Sequence, residues 1–251
     1  MVLNYTIHVS GNIYEGDYKH GKMDGRGIYK DVKGNIYEGE FQDGYKQGQG
    51  RYTFATGGVY DGGFERNQWH GQGHFIHASG DIYEGEYQNS KMHGEGTLKF
   101  ASGSTYSGSY VDNMMHGRGK LVNDEGDIYE GTFEFDAMSG EGLYRYSTGE
   151  IFEGEFHVGQ MYKGKFMFTN GDIYDGDFKN SMMDGVGRIA YKESGVEYIG
   201  EFSQHKKHGH GTMTWFKNTG TNTVEVEGEG DRVVEKRVEG NWVNDVMVAD
   251  E

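Results

Sequence analysis

The sequence predicts an all-β protein, a single-layer antiparallel meander of tandem β-hairpins that forms an elongated, curved and twisted ribbon. Three observations lead to this fold class: a segment that recurs at a fixed interval, abundant glycine without proline, and many aromatic residues. The chain of 251 residues has 44 Gly, 19 Tyr and 14 Phe but no Pro and no Cys. Each glycine would cost a helix about 1 kcal/mol relative to alanine, and apolar residues do not recur at helical spacing. Strands are therefore expected throughout.

The recurring segment is an aromatic residue, a residue that is acidic in most copies, and a glycine, as in Tyr14-Glu15-Gly16. Successive copies start 23 residues apart up to Phe152, and one 22-residue and one 24-residue step follow. A constant period of this length is the signature of a repeat array, in which each unit packs on its neighbours. The nine copies begin at what we call the key aromatic residues: Tyr14, Tyr37, Tyr60, Tyr83, Tyr106, Tyr129, Phe152, Tyr174 and Tyr198.

The whole chain, 1–251, is predicted to be one array. Residues 1–10 look like the second half of a missing repeat and are expected to cap the array, and nine repeats fill 11–218. Residues 219–237 interrupt the pattern with alternating Val and Glu, which predicts an extra strand or an elongated hairpin. A degenerate tenth repeat and a tail follow at 238–251. With two strands per repeat, spaced about 4.8 Å apart, the array would extend about 90 Å.

Each repeat is predicted to supply two strands. A glycine stands three residues before the key aromatic residue, as at Gly34, and it is predicted to form a tight hairpin turn because glycine tolerates positive φ. A polar loop then leads to a second strand that opens with a glycine pair such as Gly48 and Gly50. Repeat seven departs from this plan, since Tyr162 occupies the place of the first glycine of the pair.

Alternation assigns the side chains to two faces, because residues two apart in a strand share a face. In repeat two, Tyr37, Gly39 and Phe41 lie on one face, which we call the aromatic face. Glu38 and Glu40 lie on the other, which we call the charged face. A glycine beside a ring has no Cβ, so the ring can lie flat across the neighbouring strand.

The sequence supplies no helix or second sheet to cover the aromatic face. Unless the rings cover one another, they form the floor of a long groove. An exposed apolar surface of that size usually marks a protein-binding site. The alternative is that each ring only packs against neighbouring repeats. The predicted groove consists of Tyr14, Tyr18, Tyr37, Phe41, Tyr60, Phe64, Tyr83, Tyr87, Tyr106, Tyr110, Tyr129, Phe133, Phe152, Phe156, Tyr174, Phe178, Tyr198 and Phe202.

A second set consists of the residues nine positions after each key aromatic residue, which we call the register residues. It is predicted to lie in the loop between the two strands, as a ladder of adaptable side chains suited to irregular contacts. The alternative is that each member covers the rings of its own hairpin. The ladder comprises Met23, Trp69, Met92, Met115, Met138, Met161 and Met183, and Lys46 and Lys207 occupy the same place in two repeats.

No constellation of residues indicates catalysis, a cofactor or a metal site. A histidine follows the register residue in four repeats, at His70, His93, His116 and His208. Repeats about 10 Å apart cannot bring these histidines within ~2 Å of one ion. Residues 159–166 resemble a phosphate-binding loop but end in Phe166 where serine or threonine is required. The acidic residues recur along one face instead of forming one pair in a pocket. We therefore predict that the protein is not an enzyme.

Charge and hydropathy limit the partners. The net charge of −16 disfavours contact with nucleic acid or an anionic membrane surface. No stretch approaches the ~20 apolar residues that span a bilayer, and the N-terminus lacks the features of a signal peptide. The absence of cysteine fits a reducing compartment. Composition favours partners other than nucleic acid and membranes, and it leaves the compartment open.

The repeats resemble the MORN motif (membrane occupation and recognition nexus) from Gly11 to Asn218, with a weak return at 238–244. The resemblance implies a structural scaffold that binds protein partners in a cytoskeletal assembly of the cytoplasm. Arrays of this kind look like components of the radial spokes of a ciliary or flagellar axoneme, or of cortical scaffolds.

The family name also suggests an alternative, a peripheral membrane module that binds phosphoinositide headgroups. Its best local candidate is the basic group of Lys192, Lys206, Lys207 and His208. Terminal repeats expose sheet edges, so a homodimer is a further expectation that the residues leave open.

Overall fold

The structure is a computed structural model that describes residues 5–7, 11–218 and 232–248. Every regular element among them is a β-strand, and these residues contain no helix. The predicted all-β fold class is confirmed. The chain divides into two compact units, residues 1–124 with 133–136, and residues 125–132 with 137–251.

The strands of the first unit form an antiparallel meander, because each pairs with the next along the chain. One further strand, β12 (Ile128–Glu134), contributes residues to both units. The strands are β1 (Tyr5–Ile7), β2 (Ile13–Lys19), β3 (Lys22–Lys30), β4 (Ile36–Gln42), β5 (Tyr45–Thr53), β6 (Val59–Glu65), β7 (Gln68–Ile76), β8 (Ile82–Gln88), β9 (Lys91–Lys99), β10 (Thr105–Val111) and β11 (Met114–Val122).

The second unit continues the same plan, and its strands from β13 onward also pair in chain order. They are β13 (Ala137–Arg145), β14 (Ile151–His157), β15 (Gln160–Met167), β16 (Ile173–Lys179), β17 (Met182–Tyr191), β18 (Val196–Ser203), β19 (Lys206–Asn218), β20 (Arg232–Val243) and β21 (Val246–Val248).

Two predicted segments are only partly described. Of the predicted cap, residues 5–7 form β1 and pair with β2, and the rest lies outside the described residues. Of the predicted insertion, residues 232–237 belong to β20 and pair with the end of β19, which agrees with an elongated hairpin. Residues 219–231 lie outside the described part.

Two kinds of turn alternate, and their positions correct the sequence analysis. The tight two-residue turn lies where a polar loop was predicted, as at Asn89 and Ser90, whose φ angles are 52° and 64°. Positive φ at both central residues is the type I′ geometry that matches strand twist. Gly34, predicted to make the tight turn, lies instead in the longer loop between β3 and β4, with φ 90° and its N–H bonded to the Asp31 carbonyl.

The core of each unit is the row of key aromatic residues. All nine are between 0 and 2 % exposed. The ring of Tyr37 lies over Gly39 and Gly50, and a Cβ on Gly50 would stand 2.4 Å from Cε2 of that ring. Its hydroxyl donates a hydrogen bond to the Glu40 carbonyl at 2.8 Å. Glycine therefore makes room for the ring, as predicted, and the backbone satisfies the buried hydroxyl.

Candidate partner-binding face

The eighteen predicted groove residues are brought together as the core of the aromatic face. Tyr18 is half-buried, and the other seventeen are at most 5 % exposed. In repeat two, Tyr37 meets Phe41 edge-on at a centroid distance of 5.1 Å and meets Phe64 of the next repeat at 4.8 Å. The same pair of contacts recurs along each unit, in a geometry that aromatic rings favour. The rings cover one another and leave almost no surface for a partner.

Burial also changes the acidity of the key tyrosines. It raises the pKa of Tyr14, Tyr106, Tyr129 and Tyr198 to about 12, and neighbouring carboxylates add to the shift at Tyr14, Tyr106 and Tyr198. A phenolate in this position would be desolvated and close to acidic side chains, so the neutral form is favoured. Neutral hydroxyls can donate the hydrogen bonds that close the core.

Two buried tyrosines of repeat five differ in the hydrogen bonding of their hydroxyls. Tyr106 donates to the Ser109 carbonyl at 3.0 Å, whereas the buried hydroxyl of Tyr110 has no partner among the described residues. We expect Tyr106→Phe to lower the free energy of unfolding by about 1 kcal/mol and Tyr110→Phe to raise it by a similar amount. Urea denaturation of both variants checks this, and a loss of stability in Tyr110→Phe would contradict it.

The register residues lie within strands and not in loops, which corrects the prediction. Met92 is the second residue of β9 and pairs with Tyr87 of β8. Trp69 stacks on the key ring Tyr60, with centroids 4.1 Å apart and planes within 1°. This geometry supports the interpretation that register residues cover the rings of their own hairpins. Met161 and Met183 are buried and the others are half-buried.

The two register lysines also point toward rings. The Lys46 Nζ lies 4.3 Å from the Tyr52 centroid and 5.2 Å from that of Tyr37, and burial lowers the pKa of Lys46. Lys207 has a side chain only 12 % exposed, with Nζ 3.8 Å from Asp245 and over the rings of Tyr198 and Trp242. Lys207 is thus unavailable to a headgroup, which weakens the basic group predicted for phosphoinositides.

The accessible part of the aromatic face is a set of half-buried side chains that the sequence analysis did not include among the site residues. They lie fifteen and seventeen residues after the key aromatic residue, or one fewer in repeat seven, in the second strand or just after it. We call them the aromatic strip: Tyr29, Tyr52, Phe54, Phe75, Leu98, Phe100 and Leu121 in the first unit, and Tyr144, Tyr146, Phe166, Phe168, Tyr191, Met213 and Trp215 in the second. The alternation after the glycine pair was the signal for them.

In most of the described repeats, side-chain hydrogen bonds join one repeat to the next at the tight turn, at the longer loop or at both. At the tight turns, Asn67 accepts from the Lys46 N–H at 2.8 Å, and Asn113 accepts from the Met92 N–H at 2.8 Å. At the longer loops, Asn35 accepts from the Ala55 N–H at 3.0 Å. These hydrogen bonds hold the strip residues of successive repeats in line with one another. The sequence analysis did not predict them, because an asparagine in a turn is commonly explained by its tolerance of positive φ alone.

The charged face carries cross-strand ion pairs. Arg51 and Asp61 approach to 3.2 Å, and Arg145 and Glu130 to 3.1 Å, both as exposed pairs. Within the described ranges no three His, Cys, Asp or Glu side chains converge as a metal site would require. Those ranges also contain no helix that could cross a membrane.

The chain is similar to several solved structures of very different sequence. The TCP10 domain of CPAP from Danio rerio is 11 % identical, with 79 % of this chain and 94 % of that chain covered and a TM-score of 0.44. The TCP domain of SAS-4 (dCPAP) from Drosophila melanogaster, solved with a proline-rich motif of Ana2 (dSTIL), is 11 % identical, with 70 and 90 % covered and a TM-score of 0.38. Virginiamycin B lyase from Staphylococcus aureus is 10 % identical, with 95 and 83 % covered and a TM-score of 0.17.

Family membership rests on the repeat itself. No curated protein matches the chain. The MORN repeat model matches residues 14–36, 37–59, 60–82, 83–105, 106–128, 129–151, 174–195 and 198–219. It passes over repeat seven, which has Phe152 as its key residue and Tyr162 in place of glycine, although β14 and β15 form the expected hairpin there. MORN repeats are generally non-catalytic modules for interaction with proteins or membranes. The chain belongs to the MORN-repeat family.

Proposed function

We propose that the chain is a non-catalytic scaffold that binds protein partners along its aromatic face. The observation that supports this is the aromatic strip, whose side chains are half-buried and have no helix above them in the described part of the chain. Polar turns and loops border the strip on both sides, and an apolar centre with a polar rim is typical of protein interfaces. The contact surface proposed here is the strip, and the buried rings beneath it hold it in place.

A double variant of the strip tests this function. The variant combines Phe54→Asn with Phe100→Asn. Repeat five has asparagine, Asn123, at the equivalent position, so the fold should be retained. We expect at least a tenfold loss of partner proteins recovered with the tagged chain, because apolar contact area at the centre of an interface is removed. Quantitative mass spectrometry of affinity-purified complexes measures it.

His74→Thr is the matched control, because it changes the charged face and because repeat four has Thr97 at the equivalent position. It should leave recovery unchanged. Equal recovery with the strip variant and the wild type, both folded by circular dichroism, would contradict the proposal. So would strip-independent binding to phosphoinositide vesicles at physiological salt, the result expected of a membrane module.

We also propose a cytoskeletal setting, with the radial spokes of a ciliary axoneme as the first candidate and the cell cortex as the second. The support is the resemblance of a chain composed largely of repeats to MORN proteins of such assemblies. A fluorescent fusion in ciliated cells should label axonemes and remain there after detergent extraction. A diffuse signal that detergent removes would contradict a structural role in either place.

A further inference from the structure

We infer that the aromatic strip of the first unit binds a proline-rich segment of a partner protein in the polyproline II conformation. This inference rests on the proposed function and names the chemistry of the partner. It concerns repeats one to three, the most aromatic part of the first unit's strip: Tyr52 meets Phe54 at 4.7 Å between centroids, and Phe54 meets Phe75 at 6.0 Å. Trp69 borders them, tilted against Phe75 at 5.1 Å.

Equivalent strip residues recur at nearly the period of a polyproline II helix. Each repeat adds two strands, so equivalent strip residues such as Tyr29, Tyr52 and Phe75 recur about every 9.6 Å across the sheet. A polyproline II helix has three residues per turn and a rise of about 3.1 Å, so it presents the same side every ~9.3 Å. Seven residues of an α-helix span about 10.5 Å. A polyproline segment lying across the strands therefore stays in step with successive repeats, and a helix drifts by about 1 Å per repeat.

The strip offers side-chain hydrogen-bond donors that suit a segment rich in free carbonyl groups. A sheet face has no free backbone donors, because neighbouring strands use them, so a bound segment must rely on side chains. The hydroxyls of Tyr29 and Tyr52 and the indole N–H of Trp69 donate no hydrogen bond to the residues that the structure describes. A proline-rich segment offers carbonyl acceptors that have no internal partners. An apolar helix face would cover the same donors without satisfying them, at a cost in affinity.

The charges around these rings suit an uncharged segment. Acidic residues such as Glu38 and Glu40 lie on the opposite face, whereas Lys46 lies among these rings, over Tyr52 at 4.3 Å and Tyr29 at 6.0 Å. The carboxylate of Asp31 is held by its own loop through Asn35. The surface thus offers hydrogen-bond donors, the cation of Lys46 and a nearby carboxylate that its own loop already holds. An uncharged segment that has acceptors but lacks N–H donors at its prolines complements it.

Fluorescence anisotropy with a fluorescein-labelled dodecaproline peptide tests the inference on the full chain. We expect saturable binding that weakens at least fivefold in the double variant Trp69→Met with Phe75→Leu. Both replacements occur at the same positions of repeat four, as Met92 and Leu98, so the fold should be kept. Tyr52→Phe removes one donor and should weaken binding about threefold. His74→Thr, on the charged face, should bind as the wild type does.

Two further probes separate this inference from the proposed function. A glycine-serine peptide of the same length should not bind. An uncharged amphipathic helical peptide that binds at the strip while dodecaproline does not, up to about 1 mM, would overturn the polyproline assignment and leave the scaffold proposal intact. Dodecaproline binding that is unchanged in the Trp69→Met, Phe75→Leu variant would also overturn the assignment. If partner recovery is also insensitive to the Phe54 and Phe100 variant, the scaffold proposal fails too.

Discussion

Replacing Gly50 by alanine is expected to lower the free energy of unfolding by about 3 kcal/mol, the upper range for a core that is overpacked by one methyl group. The new Cβ would lie 2.4 Å from Cε2 of Tyr37 and 2.6 Å from its hydroxyl oxygen. The ring cannot withdraw, because Phe41 and Phe64 pack edge-on against it. Urea denaturation followed by circular dichroism measures the loss.

A second glycine of the same repeat provides the control. Gly44 has a φ of 89° and open space where a Cβ would stand, and it occupies the turn position of Asn67 and Asn113. Gly44→Asn should raise stability by about 1 kcal/mol, because the new side chain can accept from the Met23 N–H as those asparagines do in their repeats. If Gly50→Ala were tolerated as well as Gly44→Asn, the packing role assigned to the paired glycines would be wrong.

Alkaline solution is expected to unfold the protein through its key tyrosines. Their ordinary pKa is 10.0, and burial raises it to about 12 at Tyr14, Tyr106, Tyr129 and Tyr198. The folded state therefore retains protons that the unfolded state releases. Stability from this source is complete below pH 10 and is lost as the pH rises from 10 through about 12.

Parallel titrations of near-ultraviolet tyrosinate absorbance and of circular dichroism check this. The buried tyrosines should ionise together with the loss of β structure, since the phenolate of Tyr106 would lose the hydrogen bond that its hydroxyl donates to Ser109. Ionisation of the key tyrosines in a protein that keeps its dichroism would contradict the account.

The sequence predicts the meander and its two faces well, for a physical reason. A period of two assigns Tyr37 and Glu38 to opposite faces without knowledge of the tertiary fold, and the constant spacing of repeats carries that assignment along the chain. The role of glycine beside a ring follows from volume alone, and Gly50 against Tyr37 confirms it.

The features that the sequence does not predict are those that depend on contacts between neighbouring strands. The sequence analysis predicted the tight turn at the glycine before each key aromatic residue. The tight turn lies instead at positions such as Asn89 and Ser90, which adopt positive φ because the twist of the paired strands favours a type I′ turn. Met92 looks like a loop residue until that short turn brings it into β9. The proposed contact surface also differs from the predicted groove. The burial of each key ring depends on contacts from the next repeat, as when Phe64 covers Tyr37.

The central claim is that partners contact the aromatic strip. Hydroxyl-radical footprinting of the free chain and of the complex purified from cells tests it most directly, because oxidation reports the accessibility of individual side chains. The account predicts that bound partners protect strip and register residues such as Tyr52, Trp69 and Phe75, while His74 and His210 on the charged face react as before. Protection confined to the charged face, with the strip equally oxidised in both states, would contradict it.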